Sequence, residues 1–249
     1  MRYTSAIFLL PLLIACTEAP LPTPETVLEA AIQAHGGDGF DSSVIDFDFR
    51  GRHFTVVHNQ GMYSYARSYT DSIGMVRDVL YNDGFYREIN GDLVVLSDRM
   101  RQFLPGSVNS VVYFALLPYK LNDPAVKKRY LGEETMNGQQ YHKVEVTFRQ
   151  ESGGADWNDV FIYWIHKENN TMDYLAYLYH VNGGGTRFRE AHNIRTVEGI
   201  RFADYRNYKA ESEDLPLEDY GRVFNEGGLV KVSDVDLENI RVKLLIESD

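Results

Sequence analysis

In the stretch Val44-Ile45-Asp46-Phe47-Asp48-Phe49-Arg50, apolar side chains alternate with charged ones, and this alternation sets the expected architecture. In an extended chain, the side chains at 45, 47 and 49 (Ile, Phe, Phe) fall on one side and those at 46, 48 and 50 (Asp, Asp, Arg) on the other. A period of two is typical of a β-strand with one buried and one solvated face. The chain is therefore expected to contain a sheet with a distinct apolar side.

The same period recurs along the chain in short runs separated by turn residues. Asn59-Gln60-Gly61, Asn82-Asp83-Gly84 and Asn137-Gly138 are typical of hairpin turns. A sheet of many antiparallel strands accumulates twist and is expected to curl. After Val44, the predicted strands are Phe54–His58, Met62–Tyr69, Met75–Tyr81, Phe85–Ile89, Lys128–Glu133, Tyr141–Gln150, Asp159–Lys167, Met172–Val181, Thr186–Arg195, Ile200–Lys209, Leu229–Val235 and Asn239–Ile246.

Two parts of the chain lack this alternation and are predicted to be helical. Pro24 to His35 forms an amphipathic helix, with Thr23 as its N-cap and Gly36-Gly37 after its last residue. Asp98 to Leu104 and Ser107 to Leu117 form the second helical stretch. The predicted fold class is α+β, mainly β: a single curled antiparallel sheet, an open half-barrel, with two helical segments packed against its concave face.

The N-terminus has the pattern of a bacterial lipoprotein signal. Arg2 precedes a short apolar run that ends in Leu13-Ile14-Ala15-Cys16. The run is too short for a membrane-spanning helix, which needs about 20 apolar residues. The alternative is a signal peptide without lipid attachment. We expect residues 1–15 to be a signal peptide, residues 16–24 a lipidated Cys16 and proline-rich tether, and residues 25–249 a single half-barrel domain.

The composition restricts the partners of the chain. A formal charge of −11 disfavours nucleic acid as a partner and disfavours electrostatic binding to anionic lipid surfaces. Attachment to the cell envelope is therefore assigned to acyl chains on Cys16, which is the only cysteine. The 17 tyrosines and 13 phenylalanines favour a sheet-rich protein. No motif indicates a cofactor, and the seven histidines lack metal-ligand spacing.

Four stretches resemble an uncharacterised family of bacterial lipoproteins, a domain of unknown function. The resemblance implies a lipid anchor and a helix before the first strand, but no activity. The layout of a helix followed by a meander also resembles, more distantly, the half-barrels of lipoprotein carriers. That resemblance implies an apolar concave face. The resemblance to lipoproteins favours the outer membrane as the location of the protein. The four stretches are Tyr113–Leu121 (YFALLPYKL), Asp159–Ile165 (DVFIYWI), Asp173–Tyr177 (DYLAY) and Val181–Ala191 (VNGGGTRFREA).

The block from Asp159 to Arg195 holds the candidate site residues. A two-residue turn at Asn169-Asn170 and a four-residue loop over 182–185 predict a strand register by counting. In that register, one face of the sheet is interpreted as the wall of an apolar cavity for an acyl chain. A pair of polar residues on this face would bind the polar end of the ligand. The alternative is a helix-covered core. The ligand-binding candidates on this face are Trp164, Tyr177 and Tyr179, with Glu190 and His192 as the polar pair.

The opposite face in that register collects His180, Arg187 and Arg189 as candidates for an anionic head group. The alternative is a solvated face with cross-strand ion pairs. Asp159 beside His180 leaves room for a hydrolase, although no nucleophile motif accompanies the pair. The leading hypothesis is a non-catalytic lipoprotein that binds a hydrophobic or amphiphilic ligand. Its rivals are a structural protein that docks a protein partner and, third, the hydrolase.

Overall fold

Fourteen strands form two antiparallel sheets in the part of the chain that the structure describes. The protein is described by a computed structural model that covers residues 22–150, 158–180, 183–212 and 214–245. The predicted signal peptide, Cys16 and the tether up to residue 21 lie outside the described residues. The strands are β1 (Ser42–Phe49), β2 (Arg52–Asn59), β3 (Met62–Asp71), β4 (Gly74–Tyr81), β5 (Gly84–Ile89), β6 (Asp92–Leu93), β7 (Val126–Met136), β8 (Gln139–Phe148), β9 (Val160–His166), β10 (Met172–Tyr179), β11 (Gly185–Val197), β12 (Ile200–Ala210), β13 (Leu229–Val235) and β14 (Glu238–Leu244).

The predicted single sheet is divided into two. The first sheet has the order β14-β1-β2-β3-β4-β5-β6, and the second has the order β13-β12-β11-β10-β9-β8-β7. The two edge strands β13 and β14 are consecutive, so the chain passes from one sheet to the other at Asp236-Leu237. Buried Asp204 holds this corner: it accepts hydrogen bonds from the Leu237 amide (2.9 Å) and from Arg195 (2.8 Å). The single sheet expected from the sequence is therefore interrupted between β13 and β14.

Helix α1 (Pro24–His35) begins and ends as predicted. The Thr23 side chain accepts a hydrogen bond from the Thr26 amide, and Pro24 stands in the first turn. The helix buries Val27, Leu28 and Ala31 against the second sheet. His35, at its last turn, is buried and accepts a hydrogen bond from Arg201 of β12.

Helix α2 (Asp98–Ala115) is continuous where the sequence predicted two segments separated by Pro105. Proline removes one backbone donor inside a helix. Ser107 lies two residues later, and its hydroxyl donates to the Leu104 carbonyl oxygen (2.8 Å). Val108 and Val112 are buried against the first sheet, so packing maintains the helix through the proline.

Among the described α-helices and strands, two were not predicted from the sequence. Strand β6 is only two residues long, and helix α3 (Tyr220–Asn225) follows the acidic loop. Tyr220 and Phe224 of α3 pack on the face of the second sheet that α1 and α2 do not cover. We call the face under α1 and α2 the inner face and the face under α3 the outer face. Within the described residues, no helix is both long and apolar enough to cross a membrane.

Candidate functional site

The register of the second sheet differs from the predicted one. Five residues, 167–171, connect β9 to β10, and a bulge follows between Met172 and Tyr174. Strand β10 then pairs Tyr177 with Phe161 on one side and with Arg187 on the other. The shifts are odd numbers of residues, so β9 and β11 present the face opposite to the predicted one.

As a result, the prediction that Trp164, Glu190 and His192 share a face with Tyr177 was wrong. The indole of Trp164 is fully buried on the outer face and donates to Glu134 (2.9 Å). Glu190 accepts hydrogen bonds from Arg206 (3.2 Å) and Tyr208 (3.0 Å). His192 is half-buried, with its Nε2 3.9 Å from Asp236. The predicted polar pair therefore does not border the space under α2.

The inner face brings together Tyr177, Tyr179, Arg187 and Arg189, which the sequence had divided between two faces. Helix α2 crosses above them without filling the space. The cleft between α2 and the second sheet has a volume of about 280 Å³. We call it the aromatic cleft; it is lined by Asn109, Ser110, Tyr113, Phe114, Phe148, Asp159, Phe161, Tyr177, Tyr179 and Arg187.

Arg189 lies at the centre of this arrangement. Its guanidinium is 4.1 Å from the centre of the Phe114 ring and donates to the Tyr177 hydroxyl (3.0 Å). Its Nε is buried and has no hydrogen-bond partner among the described residues. The side chain is half-buried, and among the described residues it has aromatic rings rather than a carboxylate beside it. Its Nε therefore remains available to a ligand in the adjoining space.

A second space, the inner cleft, lies on the other side of Phe114 and has a volume of about 210 Å³. Asn207 on its wall has a buried side-chain oxygen without a hydrogen-bond partner among the described residues. Burial raises the pKa of Tyr205 to about 12, so its hydroxyl stays protonated. The lining comprises Phe49, Arg50, Ser110, Val111, Phe114, Ala115, Arg189, Ala203, Tyr205, Asn207, Val235 and Leu237.

A third space, of about 1030 Å³, lies between the N-terminal half of α2 and the first sheet. Its wall carries Arg50, Arg52, Arg67, Arg87 and Arg99, and we call it the arginine cavity. Ser110 borders all three spaces. The candidate residues predicted from the sequence all lie in the second half of the chain, and none is on α2 or in the first sheet. The available signal was Arg67, which alternates in step with Tyr65 and Tyr69, and Arg87, which is in step with Phe85.

The predicted contact between Asp159 and His180 is present. The carboxylate Oδ1 of Asp159 lies 3.2 Å from the Nδ1 and 3.2 Å from the backbone nitrogen of His180. Nucleophilic catalysis also needs a hydroxyl or thiol bonded to the histidine. Among the described residues, His180 forms hydrogen bonds to Asp159 alone. The contact with Asp159 orients the side chain of His180, which lies in a loop. Among the described residues, no hydroxyl or thiol is hydrogen-bonded to His180 to complete a hydrolytic triad.

No group of three or more potential metal ligands comes together in the described parts of the chain. The three spaces offer aromatic rings, hydroxyl groups and guanidinium groups. This chemistry suits an organic ligand with an apolar part and an anionic or hydrogen-bonding part.

Three solved structures are similar to this chain at low sequence identity. A DUF1329 family protein from Desulfovibrio piger is 11% identical, with a TM-score of 0.51, and the match covers 90% of this chain and 95% of that chain. A LolA superfamily protein from Nitrosomonas europaea is 12% identical (TM-score 0.48), covering 88% and 93%. A putative outer membrane lipoprotein-sorting protein domain from Vibrio parahaemolyticus is 10% identical (TM-score 0.48), covering 90% and 95%. The first likeness shows a shared fold.

The sequence itself gives the family. No curated protein matches the chain. A family model described as a family of unknown function, DUF6503, matches residues 4–237, which is most of the chain. The uncharacterised family expected from the four quoted stretches is thereby confirmed, and the chain belongs to DUF6503.

Proposed function

We propose that the protein is a non-catalytic binding protein that holds a hydrophobic or amphiphilic molecule between α2 and the second sheet. The observation that carries the proposal is the aromatic cleft. Its wall includes six aromatic side chains, contributed by α2 and by three neighbouring strands. Small-molecule sites are typically apolar concavities of about 300–1,000 Å³ with a few polar groups, and the aromatic and inner clefts together fall in this range.

The rings of the cleft are arranged to contact a ligand as well as one another. Phe161 stacks on Tyr177 with a centroid distance of 5.6 Å, and Phe114 of α2 is 5.1 Å from Tyr177. Tyr179 is only half-buried, so one side of it is open to the cleft. Burying further apolar surface here is favourable by about 25 cal/mol per Å². An acyl chain is the simplest ligand that such a slot accepts.

Polar groups border the apolar slot. Arg187 lies over the Tyr179 ring (5.6 Å) and bonds to a backbone carbonyl oxygen, and Asp159 is on the same cleft wall. Arg189 and Asn207 present buried polar atoms toward the inner side. Arg189 and Asn207 favour a ligand with a polar end over a pure hydrocarbon, because the Nε of Arg189 and the side-chain oxygen of Asn207 have no hydrogen-bond partner among the described residues and would gain one.

The proposal includes attachment to the cell envelope through acylated Cys16, with the outer membrane as the location. Its support is the signal pattern that ends at Ala15-Cys16 and the acidic charge of the chain, which disfavours direct binding to anionic lipids. Mass spectrometry of the protein from its host tests it. The expected species begins at Cys16 and carries acyl groups, and an intact Cys16 thiol would contradict the proposal.

The binding proposal is tested with 1-lauroylglycerol, a neutral amphiphile, by calorimetric titration of the full chain. Ser110→Leu adds bulk where all three spaces meet. Arg101→Leu places the same side chain on an exposed position of α2 that lines none of them. Wild type and Arg101→Leu should bind the probe, and Ser110→Leu should bind it at least about tenfold more weakly. Equal binding by both variants, or no binding by wild type, would refute the proposal.

A further inference from the structure

The arginine cavity has a charge that is opposite to that of the protein. The chain carries a formal charge of −11, with 36 acidic and 25 basic residues. The described residues that line this cavity include five arginines and no acidic residue. In a chain with an excess of carboxylates, this local reversal of sign needs a physical reason.

Strand register places two of these arginines in one row. Across β2 to β5, Phe54 pairs with Arg67, Arg67 with Asp78, and Asp78 with Arg87. The fully buried Asp78 accepts hydrogen bonds from Arg67 (2.6 Å) and from Arg87 (2.6 and 2.9 Å). One carboxylate between two guanidinium groups leaves a net positive charge in the cavity wall. Arg67 also donates to Ser107 of α2 (3.1 Å), which joins this wall to the helix.

The other three arginines of the cavity form no ion pair with any carboxylate in the part of the chain that the structure describes. Arg50 lies over the Phe49 ring (5.1 Å), Arg52 lies over the Tyr69 ring (4.7 Å), and Arg99 is exposed on α2. Seven arginines form no ion pair with a described carboxylate. Five of these seven line the three spaces, which share Ser110. The seven are Arg50, Arg52, Arg99, Arg149, Arg187, Arg189 and Arg241.

We infer that the arginine cavity binds a phosphate group, and that the ligand of the proposed function is a phosphate-bearing amphiphile. Several guanidinium groups around one open space match the geometry and charge of a phosphate, which accepts bidentate hydrogen bonds. Arg50 and Ser110 border both the arginine cavity and the inner cleft. A phosphate among the arginines is thus continuous with an apolar chain in the two clefts. This inference rests on the proposed function for the apolar part only.

The test compares three probes by calorimetric titration of the full chain at low ionic strength. They are 1-lauroylglycerol 3-phosphate, 1-lauroylglycerol and glycerol 3-phosphate, which separate the phosphate from the chain. The phosphorylated amphiphile should bind at least about tenfold more tightly than the neutral one, because charge-assisted hydrogen bonds are the strong ones. The preference should weaken as salt is added.

The variant Arg52→Gln/Arg99→Gln should weaken this preference and leave binding of 1-lauroylglycerol unchanged, because neither residue lines the aromatic cleft or the inner cleft. The matched control Arg101→Gln/Arg241→Gln removes exposed arginines that do not line the cavity, and it should keep the preference. All four positions are exposed, so both variants should fold, as checked by their unfolding transitions.

The outcomes separate the two proposals. Equal binding of both lauroyl probes, unaffected by Arg52→Gln/Arg99→Gln, would overturn the phosphate site and leave the proposed function standing. Arginine-dependent binding of glycerol 3-phosphate as tight as that of its lauroyl ester would support the phosphate site and identify a free phosphate ester as its ligand. In that case the apolar chain contributes nothing to binding, so the assignment of an amphiphile as the ligand, and with it the proposed function, would be refuted. No binding of any probe would overturn both.

Discussion

The two faces of the second sheet are built from the same strands and are similarly rich in aromatic residues, but only one of them is closed. On the outer face, α3 and the preceding loop cover Trp164, Phe188 and Tyr174, and the first two are fully buried. On the inner face, α1 packs densely over one half, whereas α2 bridges the other half and leaves the aromatic cleft. An aromatic stripe therefore becomes core or binding surface according to what covers it.

The electrostatics of the two faces differ in the same way. The carboxylates of the outer face are paired: Glu134 accepts hydrogen bonds from Lys143 (2.8 Å) and Trp164 (2.9 Å), and Glu190 is bonded to Arg206 (3.2 Å). The buried Nε2 of His192 is the exception on this face, since it has no hydrogen-bond partner among the described residues. The inner face holds Arg189 among aromatic rings without a described carboxylate partner. Satisfied groups stabilise a fold, and unsatisfied ones at a cleft are available to a ligand.

The strongest test of this comparison removes one large ring from each face. Trp164→Ala should lower the free energy of unfolding by about 3–5 kcal/mol, because a fully buried indole is replaced by a cavity and Glu134 loses a donor. The control Tyr179→Ala, on the open inner face, should lower it by about 1 kcal/mol or less. Chemical denaturation of both variants measures the difference, and equal losses would show that the inner face is closed as well.

Acidification should loosen the cover of the inner face. Burial, and secondarily Arg201, lowers the pKa of His35 from 6.5 to about 4. As the pH falls below 6.5, the unfolded chain takes up a proton that folded His35 refuses, so stability is lost until the pH reaches about 4. The shift corresponds to about 3 kcal/mol.

The measurement is denaturant unfolding of wild type and His35→Gln between pH 7 and 4. The variant should lose correspondingly less stability over this range, because glutamine does not titrate. His58→Gln is a parallel case on the first sheet, where burial, and secondarily Lys120, lowers the histidine pKa to about 4. A pH dependence of His35→Gln identical to that of wild type would exclude His35 as the group responsible.

Phe114→Ala should merge the two clefts that this ring separates. Phe114 is half-buried, so the loss of stability should be about 1–2 kcal/mol, less than for a fully buried ring. The enlarged space should raise the affinity for 1-palmitoylglycerol relative to 1-lauroylglycerol. Arg101→Ala, at an exposed position on the same helix that lines none of the three spaces, is the control. An unchanged ratio of the two dissociation constants would mean that ligands do not pass Phe114.

The smallest effect concerns one hydroxyl group. Tyr177→Phe removes the acceptor that Arg189 uses (3.0 Å) and should lower the free energy of unfolding by about 1 kcal/mol. Tyr81→Phe, at an exposed position, should change it by less. A variant as stable as wild type would indicate that Arg189 finds another acceptor, and the contrast between the two faces would then rest on packing alone.

Much of the fold was predictable from local patterns. Helix α1 has the predicted bounds because its N-cap, proline and glycines are local signals, and β13 likewise has its predicted bounds. Continuity of α2 through Pro105 was not predictable, because it depends on burial of Val108 and Val112 against strands far away in the sequence. Helix α3 is short, and its apolar contacts with the outer face are also distant in sequence.

The candidate site was predicted in part. Tyr177, Tyr179, Arg187 and Arg189 line the clefts, whereas Trp164, Glu190 and His192 belong to the outer face. The error has two sources: counting from assumed turns missed the longer β9–β10 loop with its bulge after Met172, and it missed the pairing of Tyr179 with Gly185 that sets the register of β11. A change of register by an odd number of residues exchanges the two faces, and turn residues alone do not specify such a change.

By itself, the sequence determined the antiparallel strands, the first helix and the family, because periodicity, capping residues and motifs act over a few residues. Only the tertiary structure decided the division into two sheets, the face on which each aromatic residue lies, and the convergence of arginines from β2, β3, β5 and α2 on one cavity. These features depend on register and on packing between distant segments, where a single bulge outweighs any local preference.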